Sequence, residues 1–280
     1  MDYYTQSGRI VVENTLDFFV PHILDSGQVF RYAYHKDCCQ LMSKNLICIL
    51  KSEKNRVIIE TDDPDYFINY FDFDNDYSRI KAELSGFPQL REAIKYGYGI
   101  RILNQWELET VISFIISSNN NIGRIKKIIE NICSELGENM GGWHAFPDIG
   151  ALAEADEQFF VRAGAGYRAR YLTQAIAAIR QGALEKVRGD VREAREALLK
   201  LTGVGRKVAD CILLFAYGYR EVFPVDTWID KAYSHLSGKR ECNRERMSEE
   251  LARTFGNLAG YAQQYLFYYY RETYKNMEDK

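Results

Sequence analysis

Apolar and polar positions along the chain change rhythm near Pro88. Before it come short β-branched or apolar runs: Arg9-Ile10-Val11-Val12, Gln40-Leu41-Met42, residues 46–50 and residues 57–61. Lys44-Asn45 and Glu53-Lys54-Asn55 separate the later runs and read as hairpin turns. Such runs predict an antiparallel sheet with one buried face. After Pro88 the apolar residues recur at three and four positions, the period of a helix. Helices are predicted over 106–118, 122–136, 171–180, 191–201, 207–217, 227–236, 247–255 and 260–274. Ile125, Ile128, Ile129, Ile132 and Cys133 share one face of the second. The expected class is α+β, with a β-sheet domain over 1–90 and a helical domain over 91–280.

Composition narrows the picture. With 280 residues, 46% hydrophobic and 27% charged, the chain has the balance of a soluble globular protein with a real core. It has no 18-residue apolar run and no signal peptide, so we expect an intracellular protein with reduced thiols and no membrane contact. The cysteines at 38, 39, 48, 133, 211 and 242 and the histidines at 22, 35, 144 and 235 lack the spacing of a zinc or iron–sulfur site. No metal ligand set is expected. The net charge of −3 does not announce a nucleic-acid binder. Its distribution matters more: residues 162–207 are rich in Arg and Lys, whereas 62–76 are acidic. Positive charge on one local face is enough to hold DNA there.

The candidate chemistry lies in Leu201-Thr202-Gly203-Val204-Gly205-Arg206-Lys207-Val208-Ala209-Asp210-Cys211. It sits between two helical patterns, so Gly203-Val204-Gly205 is a tight helix–helix turn. Glycine permits positive φ and close backbone approach. The helix that follows offers free N–H groups and the positive dipole end, which suit a phosphate. A plain structural turn would also explain the glycines. Lys207 stands on the first turn of that helix with Cys211 four residues on, so both project from one face. In a partly dry, electropositive site a lysine can supply a neutral amine nucleophile; a lysine reaching to solvent is the bland alternative. In Phe223-Pro224-Val225-Asp226-Thr227-Trp228, Asp226 is placed to cap a helix starting at Thr227. The same carboxylate could support positive charge developing at a sugar C1′.

These residues, with Ser26-Gly27-Gln28-Val29-Phe30-Arg31, residues 112–122, Gly166-Tyr167-Arg168-Ala169-Arg170-Tyr171 and Gly260-Tyr261-Ala262-Gln263, stand in one order over roughly residues 8 to 271. In that order they resemble the 8-oxoguanine DNA glycosylases of the helix-hairpin-helix (HhH-GPD) superfamily. The resemblance implies a sheet domain of TBP-like type and two helical subdomains flanking an active-site cleft. It implies that Lys207 attacks C1′ and forms a Schiff base, that Asp226 supports the charge, and that β-elimination then nicks the strand. It gives Gly27 the role of accepting N7–H of 8-oxoguanine through its carbonyl. Gln263 would read the Watson–Crick edge, while Phe267 and Cys211 sandwich the base. Asn119, Arg124, Tyr167 and Arg168 would wedge the duplex and hold the orphaned cytosine, and Gly203 and Gly205 would meet the DNA backbone. Trp228 departs from the family's eukaryotic members, which usually have His as a phosphate and pocket contact there.

The implied partner is double-stranded DNA containing an oxidised purine, bound by a monomer in the nucleoid or nucleus. No cofactor is required; a structural cation at the hairpin would be held by backbone carbonyls, which leave no side-chain signature. Two alternatives stand against this: a non-catalytic DNA-binding hairpin protein, and a glycosylase for another damaged base. Lys207 argues against the monofunctional branch. The branch with a four-cysteine cluster near its C-terminus would need cysteines beyond Cys242, and there are none.

Overall fold

The computed structural model describes residues 2–13, 15–238 and 243–278. Cys242 lies outside the described residues. The strands are β1 (Asp2–Gln6), β2 (Arg9–Glu13), β3 (Tyr32–Tyr34), β4 (Cys39–Ser43), β5 (Leu46–Glu53) and β6 (Arg56–Thr61). They form one antiparallel sheet in the order β1-β2-β6-β5-β4-β3. Register puts the apolar set on one face: Leu41 opposes Cys48, Leu50 opposes Ile59, and Ile59 opposes Ile10. All five are buried, as period-2 alternation over a single core requires.

The helices are α1 (Val20–Leu24), α2 (Pro64–Tyr70), α3 (Tyr77–Leu84), α4 (Arg91–Tyr96), α5 (Glu107–Ser117), α6 (Ile122–Leu136) and α7 (Ile149–Glu154). Then follow α8 (Glu157–Arg162), α9 (Arg168–Arg180), α10 (Val191–Leu199), α11 (Arg206–Ala216), α12 (Thr227–Ser237), α13 (Arg244–Phe255) and α14 (Ala259–Glu278). Helical structure therefore begins well before Pro88. The acidic run at 62–76 supplies the reason: Asp63 caps α2 by accepting from the Tyr66 amide, and Asp76 caps α3 by accepting from that of Arg79.

Buried apolar residues fall into two clusters. One joins the sheet face to Ile23, Leu24, Phe67, Tyr70 and Phe71 from α1 and the α2 region. The other gathers the helices from Tyr77 onward, with α5 buried over nearly its whole length against α6, α9 and α11. Between them lies a polar seam. The Gln28 side chain donates to the carbonyls of Ile23 and Arg101 and accepts from the Leu103 amide. Fully buried Arg101 donates to the carbonyls of Phe71, Asp17 and Asp72, and its guanidinium lies 4.0 Å from the Tyr77 ring centroid. Buried polar groups are tolerable only when satisfied in this way.

Candidate active site

The helical hairpin is built by its glycines. Helix α10 starts with a capping box between Asp190 and Glu193 and ends just before the turn. Gly203 has φ +85°, and a Cβ there would stand 2.8 Å from Tyr171 Cβ; only glycine fits without a shift. Gly205 opens α11 with no side chain capping it, and a Cβ on it would meet open space. The first amides of α11 are thus approachable from outside. Buried Asp210 fastens the unit: it accepts from Arg195 at 2.6 Å, from Arg206 at 3.3 Å and from Ser248 on α13 at 3.4 Å.

Beside the hairpin opens a cavity of about 1000 Å³, lined by Lys207, Asp226, Gly27, Phe267, Asn119 and Trp228 among others. Lys207 enters from the first turn of α11, its Nζ 5.4 Å from the Phe114 ring centroid. Cys211, one turn along, is buried in the helical core and is not on the cavity wall. Burial pushes its thiol up to about 11, with the Lys207 charge pulling the other way. Asp226 caps α12: its Oδ1 accepts from the amides of Trp228 at 3.0 Å and Ile229 at 2.9 Å. Trp228 is half-buried and carries the Lys231 ammonium 4.6 Å from its ring centroid. A cation therefore stands next to the position where the family's eukaryotic members usually have His.

At another part of the wall, Gly27 has φ +78°. A Cβ there would come within 2.7 Å of Arg271 Nη1 and 2.9 Å of Phe267 Cε1, so glycine is again required. Its segment is held from afar, because Gln264 donates to the Ser26 carbonyl at 2.7 Å and Gln105 to that of Gln28 at 2.8 Å. Gln263 and Phe267 are one turn apart on α14. Gln263 is buried off the cavity wall, and its Oε1 has no partner.

The loop between α5 and α6 carries the remaining candidates. Asn119 is exposed with φ +48°, a conformation asparagine tolerates. Asn120 donates to the Ile116 carbonyl and Asn121 caps α6, so both are used locally. Arg124 is exposed, with Nη2 3.4 Å from the Gly164 carbonyl. Tyr167 is 56% exposed. Arg168 is buried instead, donating to the carbonyls of Ser118, Asn119 and Ala165 and stacked 4.4 Å from the Tyr167 ring centroid. Its donors shape the loop that presents Asn119. Phe114 and Arg271, not among the residues expected from sequence, also stand on the cavity wall. The signal for Arg271 was its place one turn beyond Phe267. Among the described residues no group of His, Cys, Asp or Glu is gathered to hold a metal ion, and no helix is long and apolar enough to cross a membrane.

A helical hairpin beside a cavity that a lysine and a capping aspartate both line suits one class of protein. The chain belongs to the HhH-GPD superfamily of base excision DNA repair proteins, whose family pattern matches residues 112–256. The part before it, residues 10–111, matches the 8-oxoguanine DNA glycosylase N-terminal domain. The chain is 36% identical over 204 residues to the N-glycosylase/DNA lyase OGG1 of Arabidopsis thaliana, covering 64% of this chain and 54% of that protein. Thus the match spans little more than half of that relative's length. A crystal structure of the Clostridium acetobutylicum 8-oxoguanine glycosylase/lyase, bound to double-stranded DNA with cytosine opposite 8-oxoguanine, aligns with a TM-score of 0.92. That alignment has 35% identity over 98% of both chains. MBOgg1 in complex with a low-affinity DNA ligand aligns with a TM-score of 0.91 and 36% identity, over 98% of this chain and 99% of that one.

Proposed function

We propose that this chain is a DNA glycosylase with an AP lyase step, excising 8-oxoguanine opposite cytosine from double-stranded DNA in base excision repair. The observation that carries the reading is that Lys207 and Asp226 line the same cavity as Gly27 and Phe267. In this reading the free amine of Lys207 attacks C1′ of a flipped nucleotide. The N9–C1′ bond breaks, its electron pair leaves with the base, and the base takes up a proton. The sugar ring opens to a Schiff base on Lys207. Loss of a C2′ proton then expels the 3′ phosphate and nicks the strand. Asp226, at the positive end of α12, faces the charge that develops at the sugar.

Gly27 would accept N7–H, which guanine lacks, through its carbonyl. Gln263, with its spare Oε1, would turn to the Watson–Crick edge, and Phe267 and Cys211 would flank the ring. Flipping a base costs a few kcal/mol, which Asn119 and Tyr167 would offset by filling the gap, with Arg124 on the orphaned cytosine and Arg168 serving it indirectly by holding the loop. The open amides after Gly203 and Gly205 suit a phosphate, and Trp228 with Lys231 suits the strand nearby. We read the protein as a monomer that needs no cofactor and works at the chromosome, in nucleoid or nucleus, with a division near residue 90.

Borohydride trapping on a duplex with 8-oxoguanine opposite cytosine tests this. The parent is expected to give a covalent complex and Lys207→Gln none. Absence of trapping by the parent would remove the lyase assignment.

A further inference from the structure

Helix α14 carries one more side chain on the face that bears Gln263 and Phe267. Arg271 lies a further turn along and is only 4% exposed, yet it lines the cavity beside Gly27 and Phe267. Two of its nitrogens are engaged. Nε donates to Glu272 Oε1 at 2.8 Å, and Nη2 donates to the Asp25 carbonyl. The third, Nη1, is buried and has no hydrogen-bond partner. It stands on the Gly27 side, 2.7 Å from the point a Gly27 Cβ would occupy.

A guanidinium is a permanent cation whose N–H groups only donate. Leaving one of them buried without an acceptor is costly. Its flanks are aromatic, with the Phe267 and Tyr268 ring centroids at 5.1 and 5.6 Å. Swinging the fork out to water would break its bonds to Asp25 and Glu272. An acceptor delivered by a ligand would complete the group where it stands.

We propose that Arg271 is a base-recognition residue whose Nη1–H donates to a carbonyl oxygen flanking N7 of the flipped oxidised purine. This rests on the reading above, in which the Gly27 carbonyl accepts N7–H. The oxidised purine carries a carbonyl on each side of N7, so a donor adjoining Gly27 has an acceptor to hand. When the N9–C1′ bond breaks, the departing electron pair spreads over the purine onto those oxygens until a proton is taken up. A fixed cationic donor binds that charge more strongly than it binds the neutral base, so it assists departure as well as docking.

The test compares single-turnover excision from an 8-oxoguanine duplex with cleavage of an abasic-site duplex, using the full chain. Arg271→Gln is expected to slow excision by about 10- to 100-fold. It should slow abasic cleavage far less, because that duplex presents no base carbonyl. Arg271→Lys keeps the charge but must choose between the Asp25 carbonyl and the base, so it should fall between the two. Unchanged excision in Arg271→Gln, or equal slowing of both reactions, would overturn the proposal while leaving the glycosylase reading intact. Should Arg271→Gln fail to fold, as judged by its thermal melt, Arg271→Lys decides on the same ratio. A parent that leaves 8-oxoguanine in place would overturn the substrate reading and this proposal together.

Discussion

One carboxylate, Asp226, serves a helix and faces a cavity at the same time. Asparagine keeps the accepting oxygen of the cap and loses the charge. Asp226→Asn should therefore bind duplex within a few-fold of the parent while excision falls by about 100- to 1000-fold. Single-turnover kinetics beside a binding titration checks this, and an unchanged rate would leave Asp226 a cap alone. The positions of Lys207 and Asp226 are legible in sequence because one stands on the first turn after the glycine hairpin and the other just ahead of a helical run, while their chemistry comes from the resemblance. Arg168 shows the opposite case. Its basic character could be read, but not that three backbone carbonyls, two of them from the loop beyond α5, take up its donors. Arg271 escaped notice because its significance depends on the space Gly27 leaves, a contact across the length of the chain.

At the scale of elements, the two hairpin glycines should respond differently to the same substitution. Gly203→Ala meets both positive φ and the Tyr171 side chain, and should cost about 1–3 kcal/mol. Gly205→Ala has φ −88° and open space around it, so stability should change by less than about 1 kcal/mol. Its methyl group would instead stand over the open amides and weaken duplex binding. Urea denaturation and a binding titration separate the two effects; equal destabilisation would rule out the conformational explanation. Long periodic helices such as α6 and α11 were readable, with ends within a residue or so of those predicted. The short ones were not. Helices α2, α3, α7 and α8 are too brief to show a period and are set by the caps Asp63, Asp76, Asp148 and Asp156. Strand β1 is exposed along nearly its whole length and β3 has three residues, so neither shows the alternation that marks a strand.

Across the whole molecule, the sheet half and the helical half meet where Phe19 donates to the Gly99 carbonyl and the Gly99 amide donates to His22 Nδ1 at 3.3 Å. Burial lowers the His22 imidazole to about 4, against a weaker opposing pull from Asp25. Protonation would also destroy the Nδ1 acceptor. The unfolded chain takes up this proton first, so the contribution is complete above about pH 6.5 and is lost as pH falls toward 4. Denaturation at pH 7 and pH 5 should show that loss in the parent and a smaller one in His22→Gln. Equal losses would show that His22 is not the group responsible. The bonds from Gln264 to Ser26 and from Arg271 to Asp25 have a different kind of consequence. They join segments 238 and 246 positions apart, so the cavity wall at Gly27 cannot close on a growing polypeptide until α14 has left the ribosome. Lys207 and Asp226 emerge earlier, by several seconds at about 5–20 residues per second. During synthesis the proposed nucleophile is thus made before the wall proposed to select its substrate, and the two come together only once α14 has emerged.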